Sequence, residues 1–163
     1  MANEELADIT SNEQQLVVFE LAGESYGVDI GAVNAIIRMQ KITESPGTPE
    51  FAAGVTDLLG SIIPVIDLRK RLGLTASEVT RASRIVIVEA SGQMIGIVVD
   101  AVTETMRLSC ESVELPSPIV TSVDSAYVRG VGKLENRLII LLDLAKILSG
   151  KTMDTLYPVD KAA

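Results

Sequence analysis

Two stretches of the chain repeat themselves at fixed offsets, and this self-similarity constrains the fold more than any other feature. At an offset of 76 residues, FAAGVTDLLGSIIPVIDLRKRL (51–72) lies on YVRGVGKLENRLIILLDLAKIL (127–148). Identities fall at Gly54/Gly130, Val55/Val131, Leu58/Leu134, Ile63/Ile139, Asp67/Asp143, Leu68/Leu144, Lys70/Lys146 and Leu72/Leu148. At an offset of 69, FELAGESYGVDIGAVNAIIRM (19–39) lies on VEASGQMIGIVVDAVTETMRL (88–108). Here the matches are Glu20/Glu89, Gly23/Gly92, Gly27/Gly96, Ala32/Ala101, Val33/Val102 and Arg38/Arg107. The second copy thus carries seven extra residues between Leu108 and Tyr127, where CESVELPSPIVTSVDS brings two prolines. Turn glycines and helix-opening aspartates keep register, as chance matches would not. The chain reads as one domain, about 14–150, made of two similar units, about 14–74 and 83–150. A polar linker around Thr75–Ser83 joins them, and 1–13 and 151–163 read as flexible tails. A unit of about 60 residues buries too little surface by itself, so the two must share a core.

Each unit reads as short strands. With three Tyr, two Phe and no Trp in a chain that is 47% hydrophobic, the interior must be built from Val, Ile, Leu and Ala. Leu16-Val17-Val18-Phe19, Ile62-Ile63-Pro64-Val65-Ile66, Ile85-Val86-Ile87-Val88 and Ile95-Gly96-Ile97-Val98-Val99 are brief apolar bursts. Gly, Pro, Ser, Asn or Asp bound them, the pattern of strands rather than helices. Leu21-Ala22-Gly23-Glu24-Ser25 and Ala90-Ser91-Gly92-Gln93 supply hairpin turns. Helix signals are one or two turns long. Asp67 caps a turn through Leu72 that stops at Gly73, and Asp143 opens a matching stretch, Leu144 to Leu148. About ten strands and a few short helices make an all-β chain of small barrels.

Charge and composition exclude much chemistry. Twenty-two acidic against 14 basic residues leave −8, which repels phosphate backbones and anionic lipid, so nucleic acid is not an expected partner. The densest basic cluster, Arg69-Lys70-Arg71, reads as a solvated helix face. The most apolar stretch, Leu138 to Leu148, is about half the length of a spanning helix and holds Asp143 and Lys146, so direct membrane insertion is not expected. The N-terminal MANEELADITSNEQQ has neither a basic start nor an apolar core, unlike a signal peptide, and the chain is expected in the cytoplasm.

No histidine and a single cysteine leave no Cys/His metal site, no Ser-His or Cys-His nucleophile and no internal disulfide. Cys110, beside Ser109 and Glu111, lacks the cationic neighbours that activate a thiol. Asp67, Asp100 and Asp143 follow apolar strands, where a carboxylate could act as a general base. Their equivalence across the repeat makes Asp67 and Asp143 helix caps instead. Asp100 and Glu104, four apart, lack the spacing of a calcium loop and read as a solvated face. Arg129-Gly130-Val131-Gly132-Lys133 has no phosphate-loop ending. Neither a catalytic constellation, a cofactor motif nor a metal site emerges. The better lead is Val28–Met39, whose apolar residues occupy both faces, more than one small barrel buries. Either the units share a core there, or it forms a hydrophobic groove for a partner helix.

At this point the residues resemble a family. LVVFELAGESYGVDIGAVNAIIRMQKIT (16–43), PGTPEFAAGV (Pro46 to Val55), IIPVIDLRKRLGL (62–74) and GQMIGIVVDAV (92–102) are similar to CheW-like domains, the family of bacterial chemotaxis coupling proteins. The resemblance runs from about Gln15 to Ser149. It implies two intertwined five-stranded SH3-like barrels. It also implies a non-enzymatic adaptor coupling the cytoplasmic tips of methyl-accepting chemotaxis receptors to the regulatory domain of the histidine kinase CheA, in arrays at the inner membrane.

Partner contacts carried over by the resemblance fall on Val33, Ala35, Ile36, Gly54, Asp57, Leu59, Gly60, Ile85 and Thr105. Two positions depart from the family pattern. Where N-L-R-G is usual the chain reads Asp57-Leu58-Leu59-Gly60, and where V-x-E-I is usual it reads Val33-Asn34-Ala35-Ile36. One cation and one anion are replaced by apolar side chains. That loss leaves open an alternative, an adaptor of a pathway for gliding, pili or a second messenger with an altered receptor interface.

Overall fold

The computed structural model describes residues 13–44, 52–75, 77–90, 92–114, 125–134 and 136–148. The expected tails, apart from Glu13, and Pro46 to Phe51 of the family motif lie outside those residues. The apolar bursts become strands, in chain order β1 (Glu13–Leu21), β2 (Glu24–Asp29), β3 (Val33–Arg38), β4 (Ala52–Leu58) and β5 (Ser61–Asp67). After the single-turn helix α1 (Leu68–Arg71) come β6 (Arg84–Ala90), β7 (Gln93–Val99), β8 (Ala101–Ser109), β9 (Val113–Glu114), β10 (Val128–Leu134) and β11 (Arg137–Leu142). A second single-turn helix, α2 (Leu144–Ile147), follows. Three-residue 3-10 turns occupy Ile30–Ala32, Cys110–Ser112 and Ser125–Tyr127.

The strands form two sheets, and each draws on both halves of the chain. One runs β8-β1-β2-β11-β10-β9 and the other β3-β6-β7-β5-β4. The hairpin β1-β2 of the first repeat is inserted among strands of the second, and β6-β7 of the second among strands of the first. Registers repeat as the strands do: Ile36 faces Val86 as Thr105 faces Val17, both 69 apart. The parallel joints match too, Val65 beside Gly96 and Leu141 beside Gly27. The barrels are therefore intertwined, and neither sequence repeat corresponds to one barrel.

Closure is achieved the same way twice. In one sheet the two-residue β9 pairs Glu114 with Val131; in the other an isolated bridge pairs Thr43 with Val55. Gln40 and Lys41 reinforce the second seam: Gln40 Nε2 donates to Thr56 Oγ1, which donates to the Lys41 carbonyl, both at 2.8 Å. This approach explains the glycine kept at equivalent positions. At Gly54, φ is +139° and a Cβ would sit 2.2 Å from the Thr43 carbonyl oxygen; at Gly130 it would meet Val113 Cγ1 at 2.7 Å.

The largest apolar cluster spans both sheets, joining Val17, Phe19 and Tyr26 to Val86, Ile97 and Ile140. A smaller one of Leu16, Val18, Leu108, Ile139 and Leu141 fills the first barrel. Alternate residues of β1 thus point into different cores, which is why its apolar run is unbroken. The segment 28–39 is resolved by a change of element: Val28 is buried at the end of β2, Ile30 and Val33 pack on the shared core, and β3 then alternates half-buried with exposed.

The caps form as read: Asp67 accepts from Lys70 N and Asp143 from Lys146 N. The basic cluster does not. Only Lys70 is exposed. Arg69 Nε donates to Asp100 Oδ1 at 2.9 Å, while Arg71 donates to the Ile147 carbonyl and to Tyr127 Oη and lies 4.8 Å over the Tyr127 ring. Three adjacent cations read as a solvated face because they carry no sign of the far-off acceptors that the intertwining brings beside them.

Candidate functional site

The β4–β5 turn is built by Asp57, Leu59 and Gly60. Leu59 and Gly60 both adopt left-handed backbone, with φ 51° and 90°, as a tight hairpin demands. The Asp57 carboxylate accepts the Gly60 amide at 2.9 Å, so Asp57 stabilises the turn that displays Leu59. Leu59 is 98% exposed and Ile62, on β5, 66%. With Leu58, Ser61, Ile63, Gly92, Gln93 and Met94 they line a groove of ≈ 490 Å³. Asn34 at the head of β3 donates to Met94 Sδ, which joins β3 to the same groove.

Of the residues expected from sequence, Leu59, Gly60 and Asp57 meet at this turn. Val33, Ala35 and Ile36 lie along β3, with Ile36 40% exposed and Ala35 opposite Ile87. Gly54 is buried where the barrel closes, so it positions β4 rather than offering a surface. Ile85 departs from the expectation of a contact residue. It is 0% exposed, and with Val65 and Ile87 it surrounds Gly96 inside the second barrel. Alternation along β6 sends it inward, as the equivalent Leu16 is sent inward on β1.

Thr105 lies on the other barrel. It is exposed on β8 at the position equivalent to Ile36, beside Gln15, Ile30, Met106 and Arg107 around a groove of ≈ 280 Å³. The expected residues therefore define two equivalent outer faces, one per barrel; on the second the adjoining turn exposes Leu59, and the sequence repeat sets Glu135-Asn136 against Leu59-Gly60.

Ile62 and Met94 were not legible as site residues. Ile62 sits in a continuous apolar burst, in which no alternation tells the outward residue from the buried one, and Met94 reaches the groove only through sheet pairing. Leu138, the repeat equivalent of Ile62, is also exposed, at 40%.

Asp100 and Glu104 both have cationic partners. Asp100 accepts from Arg69 and from the Ala22 amide, and Arg69 above all holds its carboxyl below the ordinary range. Glu104 is exposed and pairs with Arg137 at the surface, so the solvated face expected of the two holds for Glu104, while Asp100 is half-buried beneath Arg69. Burial and the neighbouring Glu24 raise the Tyr26 phenol far above its ordinary pKa. Among the described residues no three His, Cys, Asp or Glu side chains converge as metal ligands would, and no helix is long and apolar enough to cross a membrane.

Comparisons with known proteins cover most of the chain. The profile of the CheW-like domain matches residues 15–152. Chemotaxis protein CheW of Klebsiella aerogenes is 32% identical over 149 residues, 91% of this chain and 90% of that protein. Chemotaxis protein CheW of Bacillus subtilis is 30% identical, over 93% of this chain and 97% of its own length. The crystal structure of scaffolding protein TtCheW from Thermoanaerobacter tengcongensis superposes with a TM-score of 0.78 at 42% identity, covering 85% of this chain and 94% of that one. With the intertwined barrels and their sequence signature in agreement, this chain belongs to the CheW-like domain family.

Proposed function

We propose that this protein is a non-enzymatic adaptor of chemosensory arrays, coupling the cytoplasmic tips of methyl-accepting receptors to the regulatory domain of the kinase CheA at the inner membrane. Family membership across nearly the whole chain carries the reading. The pair of equivalent faces supports it, because an adaptor needs at least two places to bind. In this assignment Ile36, Leu59 and Thr105 make contact, Val33 and Ala35 shape β3, and Asp57, Gly60 and Gly54 hold the backbone that presents them. Ile85 acts from inside, by packing.

Each contact is small, so affinity in the micromolar range, about −8 kcal/mol, is expected. Calorimetry of the full chain against a CheA regulatory domain encoded beside it checks this. Heat of binding that Leu59→Glu abolishes is expected, and absence of binding to any such domain sinks the proposal. A second reading draws on Leu59 and Ala35, apolar where the family pattern is charged: the adaptor serves a pathway other than swimming. Placed in a swimming strain lacking its own adaptor, the gene then fails to restore swarming; restoration excludes that reading.

A further inference from the structure

We infer that the second barrel carries a docking groove for an acidic peptide segment, formed by Arg38, Arg81 and Arg84. The groove, ≈ 400 Å³, is lined by these three with Met39, Thr80 and Ser83. Arg38 on β3 and Arg84 on β6 are directly opposed across the antiparallel pair. Like charges in that position repel. Arg84 Nη1 also donates to the carbonyls of Arg81 and Ser83, both at 2.8 Å, which ties the end of the linker to β6 and sets Arg81 at the same mouth. The turn is held by Ser83 Oγ, which accepts the Thr80 amide at 2.9 Å. In a protein of net charge −8, none of these guanidiniums forms an ion pair among the described residues.

The internal repeat supplies a control. The pair equivalent to Arg38 and Arg84 is Arg107 and Gln15, also directly opposed. The groove there is lined by Glu13 and Asp29 together with Arg107. The fold builds this corner without three cations, so the arginines are not demanded by packing. Guanidinium forks match carboxylates in a bidentate way. Forks spread over two strands and a turn suit several carboxylates in a row better than one phosphate, and Met39 offers apolar contact to the stem of a peptide. Docking would also relieve the repulsion between Arg38 and Arg84. The inference goes beyond the adaptor reading and uses different residues.

The test titrates the full chain with a fluorescent decamer of glutamate, a decamer of glutamine and inorganic phosphate. The glutamate decamer binds, less tightly as salt rises; the glutamine decamer does not, and millimolar phosphate does not displace the peptide. Arg38→Gln with Arg84→Gln weakens binding by about tenfold or more. Lys133→Gln with Lys146→Gln, the same charge removed elsewhere, changes it less than about twofold. Arg38→Gln alone removes the repulsion and keeps the Arg84 hydrogen bonds, so it raises the Tm by about 1–2 °C while weakening binding, which separates lost binding from lost folding. Failure of the glutamate decamer to bind, equal binding of the two decamers, an equal loss in the lysine variant, or displacement by phosphate would overturn the inference. So would salt-dependent self-association in sedimentation that the arginine variant abolishes, since the occupant would then be a second copy. None of these outcomes touches binding of a kinase regulatory domain, which is read separately through Leu59.

Discussion

Leu59 holds left-handed backbone, with φ 51°, while its side chain is 98% exposed. That conformation costs a non-glycine residue roughly 1 kcal/mol, and burial within the chain offsets none of it. Leu59→Gly should therefore raise stability by about 0.5 kcal/mol in urea unfolding while weakening kinase binding. Gain in one and loss in the other would mark a side chain kept for contact. Glycines nearby sort by surroundings. Gly54→Ala would put a Cβ 2.2 Å from the Thr43 carbonyl oxygen and should cost about 3 kcal/mol. Gly60 has nothing within 4 Å of its Cβ position, and Gly60→Ala should cost only about 1 kcal/mol, from φ alone. Urea midpoints of the two variants check the contrast.

Among elements, the single-turn helices depend on their caps more than on propensity. Asp67→Ala and Asp143→Ala should each cost about 1 kcal/mol. Asp100 ties α1 to the β1–β2 turn through Arg69 and the Ala22 amide. Its carboxyl, held low in the folded state by Arg69, favours folding above the unfolded pKa of about 3.9, and that contribution is lost as pH falls through the lower folded value. Wild type should lose stability below about pH 4 more steeply than Asp100→Asn, the gap between them being widest at neutral pH. Unfolding in urea from pH 7 to pH 3 measures it. Strands, turns and both caps were legible, because alternation, turn residues and capping are local. The two-residue β9 was not, since Val113 and Glu114 carry no strand pattern and exist as a strand only by pairing with Val131 and Gly132.

For the whole molecule, interlacing decides stability. Each sheet holds strands from both repeats, and the main cluster spans both. Fragments 13–74 and 83–148 should therefore remain unfolded alone, while the full chain melts in one calorimetric transition. A folded fragment by circular dichroism would contradict this. Arg71 fastens the halves through Tyr127 and the Ile147 carbonyl. Arg71→Ala should cost about 2 kcal/mol, and Tyr127→Phe, which keeps the ring beneath the guanidinium but removes its hydroxyl, about 1.

Sequence by itself determined the repeat, the strand-rich aliphatic interior and the caps, which follow from neighbours along the chain or from register between its halves, and the family, through the motifs that resemble CheW-like domains. Tertiary structure decided which half supplies which strand, because the offset match is the same whether each hairpin folds back on its own repeat or into the other. It also decided that Ile85 faces a core while Ile62 faces solvent, that Arg69 and Arg71 are fasteners, and that Arg38 stands opposite Arg84. The last two depend on contacts between residues 31 to 76 positions apart, which no local pattern encodes.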